Sequence, residues 1–325
     1  YSKIFNGILP NGDTIGKRKD NGELLGRPGY DLTFSMNKDI SLIICCSDNK
    51  ELKQYFLDAH HNAVKTAMHE VEKLVSARKT ADGKTRYELT KNMVAALCTH
   101  FSSRAGDPQV HTHACVANMT QRSDGQWRAL STDMSRKHGF YEKIRDNATL
   151  LGHIYQNELA IAAREKGFTI NKSNKHGMFE IEGLPLGLKE HFSKRRMQIE
   201  KIVDSLDNAN KYDKKLYDVV AQHSRAAKEK LSQKDFMAKS KIAMQSYLSQ
   251  SNINKTFDSI LIDCCQKDTI NKPITTAHAK EAIDDAIESL SRYSFKLDAN
   301  KIIDQAIVLD LGQSMLGDLQ QALRE

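Results

Sequence analysis

The 325-residue chain has no apolar run near the roughly 18 residues that a membrane-crossing helix needs, which excludes a helical span. No charged, apolar leader of the secretory type opens it. Its six cysteines contain no CxxC and no repeated spacing, and four of them form the adjacent pairs Cys45-Cys46 and Cys264-Cys265. That pattern excludes a zinc ribbon or a disulfide framework and reads as reduced core thiols of a cytoplasmic protein. A GxxxxGK[ST] phosphate loop is missing too, so no P-loop ATPase can be claimed. Internal repeats and low-complexity tracts are absent. What remains is a globular chain, long enough for one large or two smaller domains. Its formal charge of +7 mildly favours a polyanionic partner.

That charge is unevenly placed. Residues 277–325 carry five Lys/Arg against nine Asp/Glu, a net of −4, so residues 1–276 carry +7 − (−4) = +11. A polar stretch at 249–256 and Pro273 lie near the change. The acidic end therefore reads as a different module. Residues 31–35 alternate strictly, with Leu32 and Phe34 on one side, as in a half-buried strand. The apolar run 41–46 reads as a second strand. From 51 to 79, apolar residues at Leu52, Phe56, Ala59, Ala63, Ala67, Val71 and Leu74 predict a helix. A turn follows at 81–84. Residues 87–101 and 110–121 read as long strands joined by a loop at 102–109. A tight turn at 123–125 leads into a short strand at 126–130. A helix is expected over about 141–166, with Gly167 as its C-cap. Two short strands should flank 175–177, and helices should fill the chain beyond Leu188.

The sharpest local feature is His111-Thr-His113, with His100 eleven residues earlier. On a strand, residues i and i+2 share a face, so His111 and His113 project side by side. Pairing of the neighbouring strands would bring His100 to the same face. Three converging imidazoles would make a metal site with coordination positions left for substrate. In a chain of twelve histidines, an HxH pair alone is more often solvated or satisfied in the core. The other nine show no ligand spacing and read as surface or core residues.

The run from His100 to Thr120, HFSSRAGDPQVHTHACVANMT, closely resembles the three-histidine motif of MobF-type conjugative relaxases, the TraI- and TrwC-like kind. RPGYDLTFS at 27–35 resembles their second motif, and DGQWRAL at 124–130 continues the likeness. KHGMFE at 175–180 and FSKR at 192–195 look like later family segments, and AIDDAIESLS at 282–291 resembles the first helix of their helicase region. The resemblance implies an α+β fold, with an antiparallel palm-like sheet, helices packed behind it and an all-helical C-terminal part. This is the histidine-hydrophobic-histidine nickase fold. It implies a relaxase domain over 1–250 (palm about 1–188, helical fingers about 189–250), a linker at 251–276, and the start of a helicase-associated region at 277–325.

The implied activity is metal-dependent, strand-specific nicking and transfer of single-stranded DNA at a transfer origin, through a phosphotyrosine, in the bacterial cytoplasm. His100, His111 and His113 would bind a divalent ion, Mg²⁺ or Mn²⁺ in use, although Zn²⁺ or Ni²⁺ would be held more tightly. Asp31 matches the acidic residue that orients one histidine. The pattern departs from the family at Asp39, where a small residue is usual, while Lys38 is retained. Arg104, Lys189, Lys194, Arg195, Arg196 and Lys201, with a second basic run at 225–241, are expected to cradle DNA. Runs of this kind are otherwise solvated helix faces. No tyrosine matches the family's nucleophilic cluster, which lies upstream of the segment where this chain begins; Tyr30 reads as a strand support. The nucleophile is therefore expected on an upstream segment, and this chain is expected not to nick by itself. Other relaxosome proteins are possible partners. Three alternatives stand: a replication-initiation nickase of the same superfamily, a DNA-binding module that does not cut, and a cupin-like metal enzyme. The cupin-like reading would need more strands and fewer helices.

Overall fold

A computed structural model describes residues 2–9, 11–132, 139–173, 178–185, 187–206, 213–224, 231–265 and 276–325. The chain opens with a short helix, α1 (Ser2–Phe5), and a small ribbon of β1 (Lys17–Arg18) and β2 (Leu24–Leu25). Strand β3 (Gly29–Ser35), helices α2 (Lys38–Cys46) and α3 (Lys50–Lys73), and the hairpin β4 (Ser76–Ala81) and β5 (Lys84–Leu89) follow. Next come the long strands β6 (Ala95–Ser102) and β7 (Pro108–Ala117), then a second small ribbon, β8 (Thr120–Gln121) with β9 (Trp127–Arg128). Helices α4 (Phe140–Asp146) and α5 (Ala148–Glu165) precede the pair β10 (Ile170–Lys172) and β11 (Phe179–Ile181). The elements beyond are helices: α6 (Leu188–His191), α7 (Lys194–Asp204), α8 (Lys214–His223), α9 (Gln233–Gln250), α10 (Phe257–Cys264), α11 (Thr276–Ser291), α12 (Ala299–Leu309) and α13 (Leu316–Ala322). The expected α+β class is observed.

The central sheet is antiparallel, in the order β3-β7-β6. Along β7 burial alternates strictly. Val110, Thr112, Ala114 and Val116 are buried, whereas Gln109, His111, His113 and Cys115 lie on the other, half-open face. The buried face meets α2 and α3, whose Ile40, Ile43, Phe56, Val64 and Val71 belong to the same core. The sheet therefore has one dry side and one accessible side, as an antiparallel sheet allows. Gly29 is required at the start of β3, because a Cβ there would stand 2.3 Å from the Val116 carbonyl oxygen.

Four local readings are corrected. Residues 41–46 are not a strand but most of α2, every one of them buried. An apolar run dry on all sides carries no periodicity to separate strand from helix. The helix signal was Asn37, whose side chain accepts from the Ile40 amide as an N-cap. Second, the helix from 51 ends at Lys73, and residues 76–81 form β4 instead. Third, the stretch 87–101 is two strands. β5 ends at Leu89 and β6 starts at Ala95, with Lys91 at a positive φ of 52° between them. Asn92 holds that break through bonds to the Gln121 carbonyl and amide. The helix expected over 141–166 is likewise interrupted at Asn147, which separates α4 from α5. Residues 175–177 lie outside the described residues, but β10 and β11 flank them as expected.

The charge change near 277 does not mark a break in packing. α12 lies on α5, where the His153 ring nitrogen Nδ1 is 2.7 Å from the Asp304 carboxylate. Asn157 donates to the Ser314 carbonyl and accepts from the Gly312 amide. Ala279, Ile303 and Leu319 share one core with Ala160 and Ile154. The stretch 251–276 contains α10, with Phe257, Ile260 and Leu261 buried. Of the thiols, Cys45, Cys46 and Cys264 are core residues, but Cys98 is exposed on β6.

Asp39 is almost fully buried in the first turn of α2. It accepts from the Ile181 amide at 2.8 Å through Oδ2, while Oδ1 has no partner among the described residues. Burial pushes its carboxyl up to about 6. Between roughly pH 4 and 6 the folded state holds a proton that the unfolded chain has released, so stability falls as pH rises through that window. Asp39→Asn keeps the acceptor and removes the charge. Its stability should be flatter from pH 4.5 to 7.5, gaining up to roughly 3 kcal/mol over wild type at the upper end. Parallel pH profiles in urea unfolding would contradict this assignment.

Candidate metal centre

The register of the sheet builds the site. His100 on β6 lies directly opposite His111 on β7, and His111 lies opposite Ser35 on β3. One pleat further along, Cys98, His113 and Thr33 form the next row. The three imidazole centroids are 5.3–5.4 Å apart in every pairing. One nitrogen from each ring lies within 4.8 Å of the other two. A triangle of that size has corners about 2.8 Å from its centre. Metal–nitrogen bonds of about 2.0–2.1 Å need only a small closure from there.

The tautomers suit ligation. His111 Nδ1 is 2.8 Å from the Gln109 carbonyl oxygen, which can only accept. His113 Nδ1 is 2.8 and 3.0 Å from the two carboxylate oxygens of Asp31, with the Thr33 hydroxyl at 3.2 Å. Both rings therefore carry their proton on Nδ1, and Nε2 is the ligating nitrogen. The carboxylate fixes the orientation and tautomer of the His113 ring. Asp31 is thus beside a histidine of the cluster. Nothing in the donor set conflicts with a divalent ion.

The loop between β6 and β7 is held between helices on two sides. On one side His100, Arg104, Phe236 and Lys239 line a cavity of about 360 Å³ against α9. On the other, Asp107, Arg195, Arg196 and Tyr217 line a cavity of about 620 Å³ against α7 and α8. The buried Asp107 carboxylate accepts from the Lys194 amide at 2.8 Å, at the start of α7. Lys38 donates to the carbonyls of Pro108 and Phe192 at 2.7 and 2.9 Å. Burial holds its ammonium below the ordinary lysine value, and nearby carboxylates and thiols oppose the fall.

Comparison with known proteins decides the family. The model of the TrwC relaxase family matches residues 1–246. The chain belongs to the TrwC relaxase family. Two proteins of Escherichia coli, each a multifunctional conjugation protein TraI, are 40% and 39% identical to it over 203 residues, the second from strain K12. In both cases the match covers 62% of this chain and 11% of the relative, so the chain spans about a tenth of the curated relatives' length. A metal-bound structure of the conjugative relaxase TrwC in complex with OriT DNA is 31% identical, with a TM-score of 0.63. It covers 75% of this chain and 80% of that one. A TrwC structure with a 27-mer DNA comprising the recognition hairpin and the cleavage site is also 31% identical, with a TM-score of 0.63. It covers 75% and 82%.

Within this relaxase fold the expected DNA-binding residues fall into two kinds. Arg104 is exposed in the cavity beside His100, and Arg196 is exposed on α7, paired with Glu200. Lys201 is exposed on α7 as well. Arg195, by contrast, donates to the carbonyls of Ala221 and Ser224 and ties α7 to the end of α8. Lys189 is paired with Glu180, and Lys194 stands 3.5 Å from Asp107. Residues 225–230 of the second basic run lie outside the described residues.

Tyrosine placement follows packing. Tyr30 stacks edge-on against Phe140 with Arg27 over its ring. Tyr55 donates to Glu165, Tyr155 is buried against His60, and Tyr247 lies against His191. Trp127 packs beside the small cluster of Leu9, Ile15 and Met119. Sequence reasoning missed the β4–β5 hairpin, which presents Arg78, Lys79, Lys84 and Arg86 on an exposed ribbon. Its signal was Asp82-Gly83, both at positive φ, which is the chemistry of a two-residue hairpin turn.

Proposed function

We propose that this chain is the DNA-processing part of a conjugative relaxase, which holds the scissile phosphate of a single-stranded transfer origin at His100, His111 and His113. The supporting observation is the strand register that gathers those three rings on the open sheet face, with Asp31 fixing His113. A divalent ion bound there would neutralise charge developing on the phosphate's non-bridging oxygens. Mg²⁺ or Mn²⁺ suits phosphate oxygens, whereas three imidazoles favour Zn²⁺ or Ni²⁺. The chain's own contribution is orientation: Asp31 and the Gln109 carbonyl fix two rings, and Arg104 can donate to a phosphate oxygen beside His100. In the reaction, a tyrosine oxygen bonds to phosphorus and the 3′ oxygen leaves and takes up a proton. The 5′ phosphotyrosine keeps the bond energy for resealing.

Residues 1–188 would act as palm and 189–250 as fingers over the DNA. The stretch 251–276 would be the connection, and 277–325 the start of a helicase-associated region. The cytoplasm of a bacterium, with other relaxosome proteins, is the setting this reading requires. The nucleophile is a tyrosine of the family's cluster, to which none of this chain's ten tyrosines matches. The test is a denaturing gel with labelled origin oligonucleotide and Mn²⁺. The 325-residue chain should give no covalent band, and the chain carrying the family's upstream tyrosines should give one. A covalent band from the present chain would refute the placement of the nucleophile, and its loss with Tyr1→Phe or Tyr30→Phe would name the residue responsible. If the longer chain cuts equally well with His111→Ala, the role of the triad fails.

A further inference from the structure

Behind the histidine face runs a buried chain of hydrogen bonds. The Tyr155 hydroxyl is 2.8 Å from His60 Nδ1, and His60 Nε2 is 2.7 Å from the Thr112 hydroxyl. Thr112 is 2.8 Å from the Thr99 hydroxyl, which is 3.2 Å from His61 Nε2. His60, Thr112 and Tyr155 are 0–2% exposed. Burial pushes His60 down to about 3, so its ring is neutral and has one donor and one acceptor. The buried phenol of Tyr155 has His60 as its one hydrogen-bond partner among the described residues, so it must donate there. His60 then donates from Nε2 to Thr112, Thr112 to Thr99, and Thr99 to His61. Every hydroxyl proton in the chain has an acceptor.

The two threonines sit where the metal rings are set. Thr112 lies between His111 and His113 on β7, and its side chain passes to the back of the sheet. Thr99 precedes His100 and pairs with Thr112 across the strands. The link His60–Thr112–Thr99 thus fastens both histidine-bearing strands to α3 at one level. A shift of either threonine moves the backbone that carries the rings, because cores transmit rather than absorb such displacements.

We propose that Thr112, anchored by His60, is a positioning residue that sets the spacing of His100, His111 and His113 for metal. This rests on the metal reading of the triad. The experiment is calorimetric titration of the 325-residue chain with MnCl₂, well below the melting temperature, alongside thermal unfolding of each metal-free variant. Thr112→Val keeps the shape and removes the hydroxyl; Thr112→Ser keeps the hydroxyl. The expected result is a loss of about tenfold in Mn²⁺ affinity for Thr112→Val and a change under about twofold for Thr112→Ser. Val71→Ala, a core change elsewhere on α3, should lower the melting temperature yet leave affinity at the wild-type value, since destabilisation alone does not alter binding to the folded state. If Thr112→Val melts lower but binds Mn²⁺ as wild type does, the chain of bonds is structural only and the inference is overturned. If Thr112→Val does not fold, Tyr155→Phe makes the same comparison, and unchanged affinity there overturns it equally. A wild-type chain that binds no Mn²⁺ removes the metal reading itself, and the inference with it.

Discussion

Alanine at His111 should reduce divalent-metal affinity by at least about 100-fold, more than any change outside the three rings. His111 faces His100 across the strands and shares the β7 face with His113. Its removal leaves two imidazoles, and water must fill the place of a nitrogen donor. Asp31→Asn should cost less, about tenfold, because the amide oxygen can still accept from His113 Nδ1 while the carboxylate charge beside the ring is gone. The order His111→Ala, then Asp31→Asn, follows from direct ligation outweighing orientation. Titration of the three proteins with Mn²⁺ or Zn²⁺ measures it. Equal affinities for wild type and His111→Ala would mean that the ion binds elsewhere.

If the β4–β5 ribbon grips duplex DNA, neutralising it should weaken binding of a DNA hairpin by at least about 100-fold at roughly 0.1 M salt and spare a short single strand. Arg78, Lys79, Lys84 and Arg86 project from two paired strands whose tip is exposed on both faces. A two-stranded ribbon fits the major groove of duplex DNA, which is about 12 Å wide. Changing all four to glutamine leaves up to four phosphates without a cationic partner. The salt slope of hairpin binding should flatten by about one for each phosphate no longer neutralised. Arg104→Gln and Lys201→Gln should show the opposite selectivity, weakening the single strand and leaving the hairpin unaffected. Fluorescence anisotropy across a salt series separates the two. If the ribbon variant bound both DNAs equally poorly, the ribbon would not be selective for duplex DNA.

Strict periodicity makes part of this molecule legible in its sequence. The two-residue period of PQVHTHACVA puts His111 and His113 on one face whatever the neighbours do. Placing His100 beside them requires the strand register, which the β6–β7 loop fixes and the sequence leaves open. α2 reads wrongly as a strand because a helix buried on all sides has no polar face to show. The basic residues are legible as charge but not by what they touch. Whether an arginine meets solvent or a helix end, as Arg195 does, depends on tertiary placement. The role of His60 is hidden for a similar reason: its partners Tyr155 and Thr112 lie 95 and 52 residues away, and no local pattern joins them.

The most direct test of the metal centre is anomalous diffraction from crystals grown with MnCl₂, recorded where manganese scatters anomalously. One strong peak is expected on the open sheet face, about 2.0–2.3 Å from a ring nitrogen of His100 and from Nε2 of His111 and His113, with Asp31 still bonded to His113. Density for all three rings without a peak between them, or a manganese bound only at other residues, would contradict a three-histidine metal centre.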